Sequence, residues 1–234
     1  MRIQLDWFNE KLATRLADLK AGRVTPAAPR DAATVMVLRT AAADTGVEVL
    51  MLRRTAAMKF APGAYVFPGG SVDPADYGAE IGWQGPSAAE FGTRLGASAE
   101  VARALVCAAV RETFEESGVL LAGPPGDGPL ATPSGPSWEA DRMAVASGTL
   151  TLAALLSGRG LVLRADRLVP WARWITPEGE PRRFDARFFA AALPAGQEAV
   201  GHEAEADHVA WLRPSPRRPG HPGKPTGWPW PRAR

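Results

Sequence analysis

The 234-residue chain is short of cysteine, of long apolar runs and of an apolar N-terminus. Its single cysteine, Cys107, excludes an internal disulfide and a cysteine-built zinc site, and makes a reducing, cytoplasmic setting the expected one. No apolar stretch approaches the roughly 18 residues of a spanning helix, so no membrane crossing is expected. The opening MRIQLDWFNEKLATRLADLK carries acids and no continuous apolar run, which argues against a signal peptide. With 46% hydrophobic and 22% charged residues, a wholly disordered or fibrous chain is also excluded. What is there is enough for one domain with extra pieces.

The formal charge of +2 is unevenly placed. Residues 213–234 hold six basic residues and no acids; of the 27 basic residues that leaves 21 against 25 acids, so the rest of the chain carries −4. The same 22 residues contain seven prolines and three glycines, so they read as a disordered, basic tail. Its arginines and the interleaved Trp228 and Trp230 suit nucleic acid, but the acidic body argues against a nucleic-acid partner.

Along the body, Leu5, Phe8, Leu12, Leu16 and Leu19 recur at helical spacing, with Asp6 as N-cap; residues 1–29 form an amphipathic helix and linker packed on the domain. Residues 33–40 and 47–55 read as a β-hairpin, and 64–70 as a short strand ending in Pro-Gly-Gly. Residues 71–97 look like an irregular insertion with a short helix near 87–95. Ser98 to Ser117 is the strongest helix, with Gly118 as its C-terminal cap. Residues 119–135 read as loop, 137–157 as two short helices, and 167–177, 183–193 and 207–214 as strands. The intermixed elements give an α/β (α+β) layered domain over 30–212.

The chemistry concentrates in ALVCAAVRETFEESGVLL (104–121). Glu112, Glu115 and Glu116 fall at i, i+3 and i+4, so three carboxylates share one helix face. Their repulsion calls for a counter-charge, and oxygen ligands of this kind suit a hard cation, Mg²⁺ or Mn²⁺. Arg111-Glu112-x-x-Glu115-Glu116-x-Gly118 resembles the core of the Nudix box, with Thr113 in a slot that is usually apolar. Upstream, Val66-Phe67-Pro68-Gly69-Gly70 resembles the strand and turn that open the box. The family spacing GX5EX7R puts 14 positions between Gly and Arg; Gly70 to Arg111 is 41, so 27 residues are inserted. Counted back from Arg111, the first Glu of the box falls on Arg103, and its role passes to Asp73 or Asp76. A box split this way is similar to the Nudix subgroup that includes the peroxisomal acyl-CoA diphosphatase and bacterial relatives.

The resemblance implies a Nudix α/β/α sandwich with a mixed β-sheet, and metal-dependent hydrolysis of a diphosphate bond in a nucleoside diphosphate linked to another moiety. CoA or acyl-CoA is the expected substrate; nucleotide sugars, NADH or dinucleotides are the alternatives, as is a catalytically weak nucleotide-binding module. Glu112, Glu115, Glu116 and the Gly70 carbonyl are implied metal ligands. Glu112 and Glu115 are also implied in catalysis, with Arg111 holding the carboxylates. Glu205, rather than Glu203, is the expected distant base. Arg53 and Arg54 end a strand near the expected phosphates and are both candidates to bind them; the competing reading is that only one faces the site, since strand neighbours point oppositely. Gly69, Arg183 and, more weakly, Arg187 complete the substrate candidates. Phe188, Phe189, Trp171 and Trp174 read first as packing residues, and His202 and His208 as loop residues. A small-molecule partner follows, with a homodimer left open. In the family fold a helix follows the last strand; here the Pro-rich tail stands in its place, which points to a divergent, frame-shifted end.

Overall fold

The computed structural model describes residues 6–41, 46–56, 62–78, 80–202 and 206–214, with side chains from Leu12 onward. Leu5, Glu203, Glu205 and the tail from 215 lie outside the described residues, as do the side chains of Asp6 and Phe8. The first helix, α1 (Asp6–Lys20), rests on the turn around Gly179, where an added Cβ would stand 2.6 Å from Leu12 and 3.1 Å from Leu16. An extended segment then enters β1 (Arg30–Thr40), whose alternate residues Ala33, Val35 and Val37 are fully buried. The expected hairpin forms: β2 (Val47–Arg54) pairs antiparallel with β1, Leu38 opposite Val49.

The Pro-Gly-Gly segment is two short strands rather than one. β3 (Tyr65–Val66) pairs with β2, and β4 (Gly69–Ser71) pairs antiparallel with β1, Gly70 opposite Ala33. The insertion is more ordered than its composition suggests. It holds α2 (Pro74–Tyr77), β5 (Trp83–Gln84) and α3 (Ala88–Leu95). Both helices start on reciprocal caps. The Asp73 carboxylate accepts from Ala75 N while Asp76 accepts from Asp73 N, and Ser87 and Glu90 do the same for α3. The spacings Asp73-x-x-Asp76 and Ser87-x-x-Glu90 are the local signal for this order.

Next comes α4 (Ala99–Ser117), opened by Ser98 Oγ accepting from Val101 N and closed by Gly118 at φ 70°. Residues 119–135 are not all loop. β6 (Ala122–Gly123) pairs with β7 (Val162–Arg164), which also pairs with β5, making a small three-stranded sheet. Strands of two or three residues are too short to show a period of two. Between them lie α5 (Pro136–Ala146) and α6 (Leu152–Gly158), as expected. The chain closes with β8 (Val169–Ile175), β9 (Phe184–Ala192) and β10 (Ala206–Leu212).

The main sheet runs β10-β2-β1-β9-β8, with β3 and β4 attached to β2 and β1. β1 and β9 are parallel and the other pairs antiparallel, so the sheet is mixed and the fold is α+β. α4 buries Leu105, Val106, Ala109, Val110 and Phe114 in one core with Val35, Val37, Leu50, Leu52 and Phe189. Truncating one of these leucines to alanine costs about 2–5 kcal/mol. The outcome for function is a rigid α4 held beside the β3–β4 turn.

Candidate functional site

Helical spacing puts Glu112, Glu115 and Glu116 along α4, and the β4 backbone comes to meet them. Gly69 N donates to Glu116 Oε2 at 3.0 Å. A Cβ on Gly70 would stand 2.5 and 2.6 Å from the two Glu112 carboxylate oxygens, so the carboxylate in this position lies directly against the glycine. Gly69 itself has φ 154° and faces the β1 backbone at Ala33 and Thr34, a second position that a side chain would block. The two halves of the split motif, 41 positions apart in the chain, are thus adjacent in space.

Arg111 is at the centre of the cluster. Its Nε donates to Asp76 Oδ1 at 3.2 Å and its Nη2 to Asp76 Oδ2 at 3.1 Å, a two-pronged contact. Nη2 also donates to Ser71 O at 3.0 Å. Nη1 donates to Glu112 at 2.9 Å and to Glu115 at 3.1 Å. Arg111, Glu112 and Glu115 are 14%, 13% and 15% exposed, and Asp76 only 3%. Burial lowers the Arg111 pKa, but the Asp76 hydrogen bonds and the Glu112, Asp76 and Glu115 charges outweigh it, and the guanidinium is held above its ordinary value. Of the two acids expected to replace the missing Glu, Asp76 touches Arg111, whereas Asp73 caps α2.

Among the described residues, no three His, Cys, Asp or Glu side chains stand ready-made as a closed cation cage. Arg111 lies between Glu112 and Glu115, and Glu116 is turned to the Gly69 amide. The donor set nonetheless fits a hard divalent ion: carboxylate oxygens, poorly exposed, against a backbone cradle that a Cβ would fill. Such ions also keep waters and take ligands from substrate phosphates, so an open protein site suits them. The C-terminal end of α4 is clamped from outside. Arg142 Nε donates to Glu115 O at 3.0 Å, Val200 N to Ser117 O at 2.8 Å, and His202 N to Glu116 O at 3.2 Å. Thr113, in the slot that is usually apolar, is fully buried, and its hydroxyl donates to Ala109 O at 2.7 Å.

Arg54 continues the β2 face that carries buried Leu50 and Leu52, while Arg53 lies on the opposite face. Arg53 is paired with Asp207 at 2.7 Å, and that hydrogen bond raises its pKa. Arg183, a candidate phosphate contact, donates to Thr176 O at 2.9 Å and to Ala27 O at 2.7 Å, bracing the backbone beside β9. Arg187 is likewise structural, buried against Asp185 and donating to Leu95 O. Arg103 donates to Ile81 O at 3.3 Å with its guanidinium 5.5 Å from the Trp83 ring centroid. Phe189 is core, whereas Trp171 is 68% exposed. Glu203 and Glu205 lie outside the described residues; their neighbours His202 and Ala206 are joined by an Ala206 N to His202 O hydrogen bond of 2.8 Å. No described helix is long and apolar enough to cross a membrane.

The family model described as the NUDT19 Nudix domain matches residues 87–219. The chain belongs to the Nudix hydrolase family. Among solved structures, this Nudix chain is similar to a NUDIX hydrolase from Alicyclobacillus acidocaldarius. Identity is 34%, the TM-score 0.58, and the match covers 79% of this chain and 78% of that one. Among curated proteins it is 30% identical over 206 residues to acyl-coenzyme A diphosphatase NUDT19 of Homo sapiens, covering 73% of this chain and 54% of that protein. The Gallus gallus protein of the same name is 30% identical over 182 residues, covering 62% and 48%. This Nudix chain therefore spans about half the length of the curated relatives it matches.

Proposed function

We propose that this chain hydrolyses the diphosphate bond of CoA or acyl-CoA with the help of Mg²⁺ or Mn²⁺. The carrying observation is the packing of Glu112 and Glu116 against the Gly69-Gly70 turn, with Glu115 beside them on Arg111. The substrate class rests on the similarity to proteins named acyl-coenzyme A diphosphatase. Glu112, Glu115, Glu116 and the Gly70 carbonyl would hold the ion. Once bound, it would offset the diphosphate charge and lower the pKa of the attacking water. Arg111 keeps Glu112 and Glu115 in place. Arg54, on the inward face of β2, takes a substrate phosphate, and the Gly69-Gly70 backbone borders it. Glu205 accepts the proton of the attacking water. Water adds to one phosphorus as the bridging P–O bond breaks, leaving two phosphomonoesters.

The test is a panel of CoA, acyl-CoA, NADH, ADP-ribose, nucleotide sugars and dinucleoside polyphosphates, each with Mg²⁺ and with Mn²⁺, alongside Glu115→Gln. The expected result is cleavage of CoA compounds above all others, abolished in the variant. Inertness toward the whole panel would overturn the enzyme reading; preference for a nucleotide sugar would overturn the substrate.

A further inference from the structure

We infer that the insertion is a working part of the site: Asp76 is a positioning residue that acts through Arg111 on the carboxylates. This rests on the metal-dependent reading above and deepens it. Counting from the motif assigns the missing acid to position 103, but that slot is unusable. Residue 103 lies eight residues before Arg111 on the same helix, about 12 Å along its axis at 1.5 Å per residue. Arg103 is occupied in holding the insertion, through Ile81 O and the Trp83 ring. The acid comes instead from α2.

Three observations make Asp76 more than a chance neighbour. It is 3% exposed, so its charge must be met within the protein, and Arg111 meets it at both oxygens. Its orientation is fixed independently, because Oδ2 also accepts from Asp73 N at 2.8 Å. The helix carrying it is tied to β1, where Tyr77 Oη donates to Asp31 at 3.4 Å. Asp76 is thus held by contacts that do not involve Arg111.

The consequence is a division of the Arg111 fork. Nε and one side of Nη2 are taken by Asp76, so only Nη1 reaches Glu112 and Glu115. Without the Asp76 charge, the guanidinium would turn toward Glu112 and Glu115 and compete with a cation for the same oxygens. Asp76 keeps the arginine close enough to orient the glutamates and too engaged to neutralise them.

The experiment titrates Mn²⁺ alone into the full-length protein and follows free Mn²⁺ by electron paramagnetic resonance. Asp76→Asn is expected to weaken Mn²⁺ binding on the order of tenfold or more, as loss of a group behind a ligand does. Its kcat should fall while KM moves little, and Asp76→Glu should recover most of the affinity. The decisive comparison is Arg111→Met against the Arg111→Met, Asp76→Asn double variant, which removes both buried charges together and so leaves neither unpaired. If Asp76 acts through Arg111, the second substitution changes Mn²⁺ affinity no further in that background; additive losses would overturn the inference. Wild-type Mn²⁺ affinity in Asp76→Asn, or equal losses in the Asn and Glu variants, would overturn it too. Absence of Mn²⁺ binding in the wild-type protein would instead remove the metal reading itself.

Discussion

Two of the acid–arginine clusters among the described residues have opposite proportions. Beside the β4 turn, one arginine, Arg111, serves three acids, Asp76, Glu112 and Glu115. On β8 and β9, two arginines, Arg173 and Arg187, serve one acid, Asp185. The second cluster is complete as it stands. Arg187 passes its remaining hydrogen bond to Leu95 O, and Arg173 is 46% exposed, so water meets its spare charge. The first gathers three carboxylates around one guanidinium in a poorly exposed place, a proportion the second does not share. Surplus sign and burial together, rather than the presence of an ion-pair network, separate a site from a brace.

Breaking each cluster should therefore fail in a different way. The largest effect belongs to Glu115→Gln, expected to lower kcat on the order of a thousandfold in a hydrolysis assay while the melting temperature holds or rises. Gly70→Ala comes next. Its methyl would crowd the Glu112 oxygens, and displacement of this kind should cost on the order of a hundredfold in activity. Asp185→Ala should do the reverse, leaving kcat per folded molecule unchanged but costing about 3 kcal/mol in urea unfolding, because Arg187 is left buried without its partner. If Asp185→Ala removed activity and not stability, the contrast between the clusters would collapse.

Smaller effects sharpen the contrast. The Arg173 hydrogen bond, against the opposing effect of burial and with help from the Arg187 and Arg173 charges, holds the Asp185 carboxyl below the usual carboxylate range. A depressed folded pKa adds stability that is present above the unfolded value, about 4, and lost as pH falls through the folded one. Asp185→Asn should flatten the acid limb of stability measured below about pH 4. Cys107, one turn before Arg111, gives the smallest readout. Burial, and then the Asp76 charge, push its thiol up to about 12. Ellman's reagent at pH 8 should leave it unlabelled in the native protein and label it fully in urea.

The long, capped elements were legible from sequence. Ser98 and Gly118 bound α4 as expected, and the hairpin of β1 and β2 follows from β-branched alternation. The glutamates were legible because helical spacing is geometry: i, i+3 and i+4 must share a face. The small sheet was not, since β5 and β6 are two residues each and take their register from contacts distant in the chain. The fate of individual arginines was also hidden. Nothing local distinguishes Arg183, spent on Ala27 and Thr176 carbonyls, from Arg54 on the inward face of β2. Likewise, counting along the motif leads to Arg103, while only the tertiary path of the insertion leads to Asp76.

The glycine turn is registered by β1 and the glutamates by α4, so the two halves are placed by packing and not by their separation along the chain. Even as flexible chain, a gap of 41 rather than 14 positions would cost only about 1 kcal/mol of closure entropy, and here the added residues fold and dock on the site. A motif assembled this way is two docked halves whose gap can lengthen when the added residues find contacts of their own. Patterns written with a fixed gap overlook such proteins, while a search for a glycine turn docked on a Glu-rich helix would recover them whatever lies between.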